Sequence, residues 1–94
     1  MIELRLDAQE MEQPEPYERA MAILSRMKQG EYLHMLHRRI PFPLLDFARD
    51  VPLCFVVSAG VDVAFEIFLF FPGDYPNLRD AGLLPALSVM DFLP

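Results

Sequence analysis

Ile2-Glu3-Leu4-Arg5-Leu6-Asp7-Ala8-Gln9-Glu10-Met11-Glu12-Gln13-Pro14-Glu15-Pro16 changes period within one short stretch, and the fold is read from that change. Ile2, Leu4 and Leu6 alternate with Glu3, Arg5 and Asp7, the pattern of a half-buried strand. Pro14 and Pro16 then suit the first turn of a helix, where a missing N–H leaves nothing unpaired. Glu15 and Glu18 stand where the helix dipole favours negative charge. Tyr17, Ala20, Met21, Leu24 and Met27 recur at helical spacing as a buried stripe. Lys28-Gln29-Gly30 reads as the glycine-terminated end of that helix.

Outward from this unit, Glu31 to His37 reads as a second strand. Leu33, Met35 and His37 fall on one face, and Tyr32, His34 and Leu36 on the other. Pro41 to Asp50 reads as a short second helix that stops before Pro52. Leu53 to Ser58 and Val61 to Phe71 read as two further strands with Ala59-Gly60 near the turn. The order is β-α-β-α-β-β, and right-handed crossovers put both helices on the same face of the sheet. The expected fold is an α/β two-layer sandwich with a mixed four-stranded sheet, formed by residues 1–71.

Residues 72–94 read as an apolar C-terminal extension. Leu78, Leu83, Leu84, Leu87, Val89, Met90, Phe92 and Leu93 are too apolar for a disordered end. The strands over Leu53–Val57 and Val63–Phe71 are apolar on both faces, and an antiparallel sheet leaves a face open only if that face is polar. The tail is therefore expected to cover the sheet, in cis or across subunits. A symmetric homodimer built from sheet face and tail is the expected form, since two-fold pairing is the commonest.

The segment Leu6 to Pro16 resembles the N-terminal signature of the TusA/SirA sulfur-carrier family. In that family the position held here by Gln13 is a cysteine that carries sulfur as a persulfide. Gly30-Glu31 follows at the family's spacing. His37-Arg38-Arg39-Ile40-Pro41-Phe42-Pro43-Leu44-Leu45 is similar to the pattern of the TusA-like DUF2249 domains, in which a strand ends in His before a basic residue and Pro-x-Pro-Leu. The resemblance covers Ile2 to Leu45, with a looser match through Phe70, and implies the same two-layer fold. Gln9 and Phe42 stand where many relatives have Arg and a basic residue, which weakens any anion-binding role implied by the family. A carboxamide at position 13 has no nucleophilic or redox-active atom, so the resemblance implies a carrier scaffold without its catalytic group.

Composition narrows the classes of function. Ninety-four residues make one domain, and a chain of this size buries only roughly 60–65% of its unfolded surface. A net charge of −6 opposes binding to nucleic acid and to anionic membranes. Six acids lie in residues 1–18, whereas Arg19, Arg26, Lys28, Arg38 and Arg39 make residues 19–39 basic. In the apolar run from Val51 to Phe71, Asp62 and Glu66 would each cost about 2.5–3.5 kcal/mol in a membrane-spanning helix. A lone cysteine, Cys54, excludes an internal disulfide and suits the cytosol. Glu3 and Asp7 interrupt the start, unlike a secretion signal.

Ligands of parallel strands bind beyond the carboxyl ends, where loops and helix starts gather. Asp7, Gln13, Glu15, His37, Arg38 and Arg39 are expected to meet there as a ligand or partner surface. His34 and His37 point to opposite faces of one strand and cannot share an ion, so a metal would need His37 with Asp7 or Glu10. No metal or cofactor is expected. Cys54 reads as a small buried hydrophobe with a raised pKa. Without Ser/His/Asp spacing, a glycine-rich phosphate loop or a CxxC pair, no enzyme class is supported. The expectation is a non-catalytic, cytosolic protein-interaction or ligand-sensing module. The alternatives are an accessory in sulfur relay and a His-dependent metal-binding or enzymatic protein.

Overall fold

The alternation at the start forms β1, Ile2–Asp7. The computed structural model describes all 94 residues. After β1 come α1 (Glu15–Leu24), β2 (Glu31–His37), α2 (Phe42–Asp50), β3 (Cys54–Ala59), β4 (Phe65–Phe70), a 3₁₀ turn (Pro72–Asp74), α3 (Tyr75–Asp80) and β5 (Met90–Phe92). β1 and β2 pair in parallel, with Leu4 opposite Leu33 and Leu6 opposite Met35. β4 lies between β2 and β3 and is antiparallel to both. β3 therefore runs parallel to β2 one strand removed, and the connection through α2 crosses over β4.

The sheet has five strands in the order β1-β2-β4-β3-β5, not four. Met90-Asp91-Phe92 is too short to display a period, yet it pairs antiparallel with β3, and the Val89 N–H donates to Val57 O at 2.8 Å. The outer backbone groups of β3 find their partners there. β4 also starts later than the apolar run suggests. Gly60 to Ala64 form a loop closed by the Gly60 N–H donating to Ala64 O at 3.2 Å. A Cβ at Gly60 would lie 2.5 Å from Val63, so the turn requires glycine. α1 ends at Leu24, before the expected glycine stop. The Ser25 hydroxyl donates to Ala22 O at 2.8 Å, and successive turns carry the chain to Gly30, which has φ +90°.

The two faces of the sheet are covered differently. On one, Leu6, Leu33, Met35, Phe55, Val57, Ile67 and Leu69 pack against Ala20 of α1 and Leu44, Leu45 and Ala48 of α2. On the other, Tyr32, Cys54, Val56, Phe68 and Phe70 pack against Leu78 of α3, which is fully buried. The tail thus folds back on its own chain. Tyr75 stacks on Phe70 with centroids 6.2 Å apart, and Asp74 Oδ2 accepts the Gly30 N–H at 2.8 Å. Beyond α3 the cover thins, and Leu87 and Val89 are exposed. No helix is long and apolar enough to cross a membrane.

Candidate functional site

Parallel pairing brings the carboxyl ends of β1 and β2 to one edge, and the Ala8 N–H donates to Leu36 O at 2.9 Å to hold the first loop against the second strand. Beyond that edge lies a cleft of about 240 Å³. Its walls are Gln13, Pro16 and Tyr17 at the start of α1, and His37, Arg39, Ile40, Pro41, Phe42, Pro43 and Leu44 leading into α2. The prolines shape both walls, because each fixes the backbone where a helix begins.

His37 ends β2 and is 2% exposed. Its Nδ1 accepts the backbone N–H of Arg39 at 3.0 Å. Burial pushes its pKa below the ordinary histidine value, and the neighbouring Arg38 and Arg39 charges add to the shift. The ring is therefore neutral near pH 7. With Nδ1 used as an acceptor, its single proton sits on Nε2, and that buried N–H has no partner. Leaving such a donor unpaired costs about 1–3 kcal/mol.

The six residues expected to converge divide into two groups. Gln13, His37 and Arg39 line the cleft, and Arg39 forms no ion pair. Arg38 instead fastens the first loop, donating to Met11 O at 3.1 Å and lying 3.8 Å from Glu12. Asp7 closes its own turn by accepting the Gln9 N–H at 3.1 Å and the Gln9 amide at 3.0 Å, and these bonds hold its carboxyl below the ordinary range. Glu15 pairs with Arg19 at 3.3 Å, one helical turn on. The start of α2 contributes little donor capacity. The Phe42 N–H is used by Ile40 O, those of Leu44 and Leu45 by Pro41 O, and Pro43 has none.

A second polar cluster, on the opposite face, went unseen in the sequence. His34 Nδ1 lies 3.0 Å from Glu3 Oε1 and its Nε2 lies 2.8 Å from Glu66 Oε1. The ring stacks on Phe68 with centroids 4.4 Å apart. The Tyr32 hydroxyl donates to Glu3 at 3.3 Å; burial, and then the Glu3 charge, raise the tyrosine pKa. The signal was Glu66, an acid on the same face as Phe68 and Phe70, whose parity sets it beside His34 once β2 and β4 pair. The two carboxylates hold opposite ends of one ring, so they cannot share an ion with it. No three His, Cys, Asp or Glu side chains form a metal-holding cluster anywhere in the chain. Cys54 is buried and free, and burial raises its pKa, which disfavours the thiolate. Compared with protein-family models, curated proteins and solved structures, the chain has no significant match.

Proposed function

We propose that the protein is a non-catalytic, cytosolic ligand-sensing or protein-interaction module on a scaffold of the sulfur-carrier type. Its site is the cleft between Gln13 and Leu44. One observation carries this reading: a neutral His37, whose buried Nε2–H finds no acceptor within the chain, lines a cleft that also holds Arg39 free of any ion pair. A bound group whose acceptor reaches Nε2 as the cleft wall shifts relieves the unpaired donor, and a negative charge on it also meets the guanidinium. The apolar lining from Pro16, Ile40 and Leu44 favours an acceptor carried on a small hydrophobic body, either a free ligand or a side chain of a partner protein. No nucleophile accompanies the histidine, since the thiol of Cys54 lies in the cluster on the other face of the sheet.

A role as an accessory in sulfur relay is the second reading. It is favoured by Gln13, which lines the cleft and, by the resemblance, takes the place of the carriers' cysteine without its reactive group.

Titration of isotope-labelled protein with benzoate, and separately with benzamide, tests the site. Saturable NMR shifts at Gln13, Tyr17, His37 and Arg39 are expected, larger for benzoate and abolished by His37→Phe. Arg38→Ala and Arg39→Ala should each change stability by no more than about 0.5 kcal/mol, and only the second should weaken binding. Shifts that survive His37→Phe, or that lie elsewhere, overturn the assignment.

A further inference from the structure

β1 is an edge strand, paired only with β2. The Ile2 N–H donates to Gly30 O and the Ala8 N–H to Leu36 O. Alternate residues of a strand turn both backbone groups to the same side, so the even-numbered residues of β1 serve β2. Glu3, Arg5 and Asp7 then direct their N–H and C=O groups away from the sheet, a row ready to accept another strand. The side chains sort the opposite way. Leu4 and Leu6 turn toward the helices, while Glu3 reaches Tyr32 and His34 on the other face. Beside the free edge runs a groove of about 570 Å³, floored by Leu4, Leu6, Ala22 and Ile23 and flanked by Arg19 and Arg26. Ile2, at its end, is 60% exposed.

We propose that this edge is a self-association surface on which β1 of a second copy pairs antiparallel about a two-fold axis at Leu4. The two five-stranded sheets become one of ten strands. The charges on β1 favour a second copy of the same strand and, with the apolar residues, set the register. Outward-facing backbone must meet outward-facing backbone, so odd-numbered residues pair with odd-numbered ones. An axis at Glu3 sets Glu3 against its own copy, and an axis at Arg5 sets Arg5 against Arg5 and Glu3 against Asp7. Axes at Leu4 and at Leu6 both oppose unlike charges, Glu3 with Arg5 twice or Arg5 with Asp7 twice, and directly opposed unlike charges stabilise a sheet where like charges destabilise it. At Leu6, however, Asp7 is already held by Gln9 and the exposed Ile2 would face Glu10, so the axis at Leu4 is the better fit. On the helix side the same register packs Leu4 on Leu4 and covers the exposed Ile2 with Leu6 of the other copy. The edge is thus complementary to itself. Because each cleft lies beyond the carboxyl end of β1, antiparallel pairing places the two clefts at opposite ends of the joined sheet.

Light scattering of the full chain over a range of concentrations, combined with an oxidative cross-link, tests the proposal. A dimer is expected. Arg5→Pro removes an outward N–H without touching the β2 ladder and should give a folded monomer, with circular dichroism unchanged. Arg5→Glu should weaken association at least about tenfold. In a Cys54→Ala background, Leu4→Cys sits on the axis and should form an intermolecular disulfide under mild oxidation, whereas Ile2→Cys faces Leu6 and should not. A parent chain that stays monomeric at its highest soluble concentration overturns the proposal. So does a dimer that persists in Arg5→Pro or fails to cross-link through Leu4→Cys.

Discussion

His34 and His37 stand three residues apart on β2, on opposite faces of the sheet, and both are buried. His34 lies where the tail's apolar cover gives way to polar groups. Both its nitrogens are engaged by carboxylates and its ring rests on Phe68. His37 lies at the rim of the helix-covered face, with one nitrogen satisfied by the backbone and the other by nothing. The first histidine ties β1, β2 and β4 together from within. The second keeps an unused donor beside an open cleft. Burial alone does not separate the two histidines; the accounting of their nitrogens does.

The faces should respond differently when broken. The largest effect is expected from Leu78→Ala, which empties the one fully buried contact that α3 makes with the sheet. Truncation of a buried leucine costs about 2–5 kcal/mol, read as a lower urea midpoint. A cost below about 1 kcal/mol would show that the tail lies on the sheet without stabilising it. His34→Ala comes next. It leaves Glu3 and Glu66 facing each other without the ring and should cost about 1.5–3 kcal/mol, the scale of hydrogen bonds to charged groups. An equal loss from His37→Ala would remove the distinction between the two residues.

The smallest effect is a pH dependence that belongs to His37. Its folded-state pKa lies below the ordinary value of 6.5, so on acidification the unfolded chain takes up the proton first. The contribution to stability is complete above pH 6.5 and is lost as the pH falls through the lowered folded-state value. Denaturation curves collected downward from neutral pH should lose this component in His37→Phe. If parent and variant track each other across that range, His37 is not held neutral by the fold.

Local pattern was enough to read β1, β2 and both principal helices, because Ile2, Leu4 and Leu6 alternate and the prolines at 14, 16, 41 and 43 punctuate. Parity alone separated His34 from His37, and the lone cysteine among apolar neighbours was legible as buried. Pairing between distant strands decided the rest. Glu3 and Glu66 are 63 residues apart in the chain and meet only because β1 and β4 flank β2. Met90-Asp91-Phe92 becomes a strand only because the edge of β3 lacks a partner. Asp7 and Glu15 looked like site residues by position, but nearby Gln9 and Arg19 engage them first. Sequence determines periodicity, turn chemistry and the face on which a side chain falls, since these depend on neighbours within a few residues. Which polar groups find partners, and which are left to bind something else, is settled only when the sheet closes and long-range neighbours compete for them.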